Sequence, residues 1–153
     1  VAPDQLETLV KAGFAAPTAR NRQPWEFIVI TDRETLNRLA EGLRLGKMLA
    51  SAPAAIAVCG NSNEFLEDED REMWIQDCSA AAQNMLLAAE GLNLGAVWVG
   101  VLPGKQRMEH VAQVLKLPDR IIPLCIVSVG HPTGFEKPKD KYRPTKVHFQ
   151  AWE

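Results

Sequence analysis

With 153 residues, 46% hydrophobic and 24% charged, the chain has the size and composition of one globular domain, able to bury about two thirds of its unfolded surface. Ten glycines and ten prolines exclude collagen-like and low-complexity architectures, and a formal net charge of −2 leaves no electrostatic footprint for nucleic acid or an anionic membrane. Three widely spaced cysteines, Cys59, Cys78 and Cys125, form neither a disulfide framework nor a zinc pattern and read as buried, reduced thiols.

Leu6, Leu9, Val10 and Phe14 recur at helical spacing between Pro3 and Pro17, which predicts a first amphipathic helix. Glu26–Ile30 is a short β-prone run. Thr31 followed by Glu34 has the form of a capping box opening a second helix that carries Leu36, Leu39 and Leu43. Pro53 leads into Ala54–Cys59, apolar and short enough for a buried strand. The acidic stretch Asn61–Asp70 reads as a solvated loop or helix start. Arg71–Glu90 is the longest helical pattern, and its small or apolar middle, Ala80 to Ala89, predicts a central helix covered on several sides. Gly91 and Gly95 end it. A strand over Ala96–Val99, a helix over Arg107–Leu117 stopped by Pro118, and a long buried strand over Ile121–Val129 follow. From Gly130 onward the chain is rich in Pro, Lys and Arg, and an extended tail is expected. No linker marks a second domain.

Strands and helices alternate without a Gly-x-Gly-x-x-Gly turn, a phosphate loop, a serine nucleophile elbow or a close Cys/His pair. Rossmann and hydrolase chemistries are disfavoured. His110, His131 and His148 are too scattered for a metal site. The opening Val-Ala-Pro-Asp-Gln resembles no secretory signal, and no apolar run approaches the ~20 residues of a membrane helix, so a cytoplasmic protein is expected.

Ala16-Pro17-Thr18-Ala19-Arg20-Asn21-Arg22-Gln23-Pro24-Trp25-Glu26-Phe27 resembles the signature Ala-Pro-Ser-x-x-Asn-x-Gln-Pro-Trp-x-Phe of the nitroreductase family. Four further segments follow in family order: Ala52-Pro53, Asp77 to Ala89, Leu94 to Gly100, and Val129-Gly130-His131-Pro132 with Arg143. Together they span almost the whole chain. The resemblance implies an α+β fold of three layers, a central, mostly antiparallel sheet between helices with an extended C-terminal tail. It also implies FMN as cofactor, NAD(P)H as co-substrate, and a homodimer with the flavin at its interface. Two departures stand out. Thr18 replaces the usual Ser and keeps the hydroxyl. The family's Arg-Arg-Ser-x-Arg segment, which grips the FMN phosphate, would stand ahead of Val1; it is expected upstream, or else phosphate binding is weakened.

Within that resemblance, Arg143, with Lys141 beside it, is the candidate for the FMN phosphate, since a guanidinium offers charge-assisted, bidentate bonds. Pro17, Thr18 and Ala19 shape the signature loop, and the amides of Asn21 and Gln23 suit the mixed donor and acceptor edge of the flavin pyrimidine and the ribityl hydroxyls. Gly100, Val101 and Leu102 form the loop that relatives lay against the flavin, where a backbone N–H can reach N5. Lys47 corresponds to a lysine that favours the anionic reduced flavin; the alternative is a solvated helix residue. The Thr18 region of one chain is expected to face the Arg143 region of another. Trp152 is the aromatic best placed to cross to a partner, while the other tryptophans read as packing. The implied reaction moves hydride from NAD(P)H through flavin N5 to an electron-poor acceptor such as a nitroaromatic or quinone, with no protein nucleophile. The alternative is a flavin-binding dimer without reductase turnover.

Overall fold

The computed structural model describes residues 1–134 and 137–152. Helix α1 (Pro3–Phe14) starts where Pro3 presets the backbone and the Gln5 carboxamide accepts from the Ala2 N–H at 2.9 Å. Strand β1 (Trp25–Ile30) and helix α2 (Arg33–Gly42) follow. The cap of α2 differs from expectation: Asp32, not Thr31, accepts from the Thr35 N–H, at 2.8 Å, and from the Thr35 hydroxyl, at 2.7 Å. A carboxylate with two donors outcompetes the neighbouring hydroxyl for the cap.

Strand β2 (Ala54–Asn61), helix α3 (Met73–Gly91), strand β3 (Gly95–Gly100), helix α4 (Lys105–Leu115) and strand β4 (Ile121–Gly130) complete the framework. The acidic stretch is not one loop: its first residue, Asn61, ends β2, and two 3-10 turns, Ser62–Glu64 and Asp68–Asp70, carry the rest. The four strands are ordered β1-β2-β4-β3 and every pairing is antiparallel. The central pair, β2 and β4, is apolar on both faces, as a doubly covered sheet requires. Ile56, Val58, Val127 and Val129 pack toward α1 and α3, whereas Ala55, Ala57, Cys59 and Ile126 pack toward α2 and α4. Three layers result, as the resemblance implied. Trp74 of α3 lies so close over Gly60 that any side chain there would strike its ring.

Helix α3 contacts α1 and all four strands. Its open stripe is narrow: Gln76, Gln83, Leu87 and Glu90 are exposed, one face at helical spacing. Among the described residues after Gly130 the one helical element is a 3-10 turn, Pro144–Lys146, and every residue from 137 to 152 is exposed. Phe149 and Trp152 are 79% and 84% exposed.

Candidate functional site

Residues 17–24 leave α1 and enter β1 through a turn that the backbone adopts only under constraint. Arg20, Asn21 and Gln23 have φ of 50°, 55° and 50°. Left-handed backbone costs roughly 1–2 kcal/mol for a residue with a Cβ, least for Asn. Several bonds hold the turn. The Thr18 hydroxyl accepts from the Gln23 N–H at 3.2 Å, and the Gln23 amide donates to Asn21 Oδ1 at 2.8 Å. Arg20 pairs with Asp70 at 2.7 Å, Arg22 donates to the Glu64 carbonyl at 3.1 Å, and the Asn61 N–H donates to the Pro24 carbonyl at 2.7 Å. From beneath, Asp77 of α3 accepts from the Ala19 N–H at 2.9 Å. Asp77 is only 6% exposed, and burial pushes its carboxyl up from the ordinary value while the Ala19 N–H pulls it back. Pro17, Asn21 and Gln23 are exposed, and Thr18 and Ala19 half-buried.

The Gly100–Leu102 loop is set by an irregularity in the sheet. Val58 faces Cys125 and Cys59 faces Pro123, so Leu124 is an extra residue in β4. Its carbonyl accepts from both Val101 N–H, at 3.1 Å, and Leu102 N–H, at 3.0 Å. Val101 is buried, Leu102 half-buried and Gly100 exposed. A Cβ at Gly100 would meet no atom nearer than Trp98 Nε1 at 4.0 Å, so this side of the loop opens onto free space. Arg107 Nε donates to the Val101 carbonyl at 3.1 Å, and Arg107 and Arg44 line, with Leu43, Leu45, Val99 and Gly100, a cavity of about 260 Å³.

Residues 43–53 run beside β3. Gly46 lies against Val99, and Met48 and Ser51 share a cleft with Val97 and Ala96. Lys47 stands on this segment, and its ammonium donates to the Ala40 carbonyl at 3.2 Å, one of the unpaired acceptors at the C-terminal end of α2.

The register places these pieces relative to one another. Trp25 pairs with Gly60, Gly60 with Ile122, and Gly100 with Cys125. The turn before β1 and the loop after β3 therefore leave the same end of the sheet from opposite edges, three strand spacings or about 14 Å apart. One chain does not bring them together. Lys141 and Arg143 lie in the exposed tail, and among the described residues no hydrogen bond or ion pair ties 137–152 to the body.

All three cysteines are free and buried; burial pushes the Cys59 thiol up to about 12, and Cys78 and Cys125 upward as well. Among the described residues no cluster of His, Cys, Asp or Glu could hold a metal ion, and no helix is long and apolar enough to cross a membrane. Sequence reasoning gave no role to Asp77, Arg44 or Arg107. A lone acid between Gln76 and Cys78 was a usable signal for the first. The two arginines, far apart in sequence, gave none.

The model of the nitroreductase family matches residues 1–46 and 40–131. A protein of Archaeoglobus fulgidus named "Putative NADH dehydrogenase/NAD(P)H nitroreductase" is 40% identical over 99% of this chain and 88% of its own length. A crystal structure bearing the same name, from Parabacteroides distasonis, superposes with a TM-score of 0.92 at 45% identity, over 99% of this chain and 88% of that one. An FMN-dependent nitroreductase of Clostridium difficile gives a TM-score of 0.89 at 28% identity, over 99% of this chain and 90% of that one.

Proposed function

The chain belongs to the nitroreductase family, and we propose that within it this oxidoreductase holds FMN between two copies of itself and uses NAD(P)H to reduce an electron-poor acceptor. The observation that carries the reading is the pair of incomplete half-sites, a strained, tethered turn at one sheet edge and a glycine loop facing open space at the other. The residues fit the cofactor. Beside Gly100 there is room for a planar ring, and the bond between Gln23 and Asn21 leaves the Asn21 NH2 group free to donate and the Gln23 carbonyl free to accept.

When bound, FMN supplies hydride exchange at N5, from NAD(P)H to an acceptor such as a nitroaromatic or quinone. This chain's residues bind and orient. Arg143 and Lys141 grip the phosphate through charge-assisted bonds. Thr18, Asn21 and Gln23, shaped by Pro17 and Ala19, present hydroxyl and amide groups to the ribityl chain and pyrimidine edge. Gly100, Val101 and Leu102 bring the backbone close to the ring, and Lys47 and Arg44 add positive charge beside it, which favours a reduced, anionic ring. A second copy is required because the half-sites stand at opposite edges of one sheet. The exposed Phe149 and Trp152 of the tail and Leu87 of α3 are apolar side chains such a partner would cover. The cytoplasm suits a flavoprotein with reduced, buried thiols.

The test is an absorbance titration of the purified protein with FMN, followed by NADPH and a quinone. Uptake of flavin with quinone-dependent NADPH oxidation is expected. Protein that takes up no FMN contradicts the reading, and protein that binds FMN without oxidising NADPH is a binder only.

A further inference from the structure

The carboxylate of Asp77 sits in an otherwise apolar stretch of α3, where an apolar side chain would pack without a desolvation cost. It is the one buried carboxylate and, apart from the thiols, the one ionisable group among the buried residues of the described chain, on a helix whose buried neighbours are Trp74, Cys78, Ala81 and Ala82. A buried charge is retained at a cost unless something needs it. Its hydrogen-bond partner is not in its own helix but 58 residues away, the Ala19 N–H.

That N–H sits at the entrance to the left-handed run Arg20, Asn21 and Gln23. The side-chain bonds within the turn, Thr18 to Gln23 and Gln23 to Asn21, and the outer tethers of Arg20 and Arg22 involve exposed groups. Water competes with each of them. The Asp77 bond, half-buried and made to a charged acceptor on a rigid helix, is the least exposed of the side-chain bonds that hold the turn.

From this geometry we propose that Asp77 is a positioning residue of the flavin half-site: by fixing the Ala19 N–H it holds Thr18, Asn21 and Gln23 in the conformation that receives the cofactor. The role rests on the FMN reading above. Asp77 reaches the cofactor only through the turn and exchanges no proton with substrate.

Two variants and two readouts test this. Amide hydrogen exchange on the protein without added flavin reads the turn alone. In Asp77→Ala the amides of residues 19–23 exchange at least about tenfold faster, while those of α3 and the central strands keep wild-type rates, because the loss is confined to one anchor. Fluorescence titration with FMN reads the consequence: Asp77→Ala weakens binding about tenfold or more, the scale of one hydrogen bond to a charged group, whereas turnover at saturating FMN stays within about threefold of wild type. Asp77→Asn, whose Oδ1 still accepts from Ala19, restores both. Unchanged exchange in Asp77→Ala, unchanged FMN affinity, or failure of Asp77→Asn to rescue overturns the proposal. Wild-type protein that takes up no FMN overturns the functional reading first, and the role with it.

Discussion

The carbonyl oxygen of Leu124 accepts from the backbone N–H of Val101 at 3.1 Å and of Leu102 at 3.0 Å. Leu124 is the residue inserted between Cys125 and Pro123 in the β2 pairing, so an irregularity in a central strand fixes the loop on which the ring is proposed to lie. Gly100 stands at the start of that loop with its free side unfilled.

Substitution of Gly100 separates folding from cofactor binding. Because nothing lies within 4 Å of a Cβ there apart from Trp98 Nε1, at 4.0 Å, Gly100→Leu is expected to fold with a stability change under about 0.5 kcal/mol. A branched side chain in the ring's space should weaken FMN binding more than about tenfold. Urea unfolding and FMN titration of the same preparation check both halves.

Arg143 and Lys141 behave in the opposite way to core residues. Both are exposed, so Arg143→Ala should leave the unfolding midpoint unchanged while weakening FMN by about tenfold or more, and Lys141→Ala should weaken it less. Titrations at several salt concentrations should show a shallower salt dependence in each variant than in wild type.

The cap of α2 distinguishes two adjacent residues. Asp32→Ala should lower the thermal midpoint, and Thr31→Ala should not, since Asp32 makes both bonds to Thr35. The Thr35 hydroxyl and N–H hold the Asp32 carboxyl below its ordinary value of 3.8, with Arg33 adding a smaller pull. Its contribution is therefore present above 3.8 and is lost as pH falls through the lowered value, so the two proteins should converge in stability in strong acid.

Asp77 has the reverse sign. Burial raises its carboxyl above 3.8 in the folded chain, so its favourable contribution is complete below 3.8 and disappears as pH rises through the raised value. Asp77→Asn should gain stability relative to wild type as the pH is taken from acid to neutral. Urea midpoints of the two proteins across that range check the direction.

How far this was legible in the sequence follows from the range of the interactions. Local periodicity identified the helices and strands because Leu6, Leu9, Leu36 and Leu39 meet the core through their own element. The cap of α2 was misassigned by one residue because Thr31 and Asp32 both carry a capping oxygen, and only the backbone decides which faces Thr35. The signature marked the turn before β1, yet its strain was invisible: Arg20 and Gln23 are poor candidates for left-handed backbone, and Asp77 is 58 residues from the amide it anchors. Arg44 and Arg107 meet at one cavity only after α2 and α4 pack on the same face of the sheet. The separation of the half-sites depends on strand order, which periodicity does not encode.

The central claim is that each FMN lies between the turn of one copy and the glycine loop of another, and complementation tests it most directly. Gly100→Leu damages one half-site and a Thr18→Val/Asn21→Ala double variant the other, so each protein alone should bind little FMN. Unfolded together and refolded as an equal mixture, half of the dimers would be mixed, and each would hold one intact site, restoring about a quarter of wild-type FMN binding. If the mixture binds no more FMN than the two variants apart, the site is not shared between copies and the account is wrong.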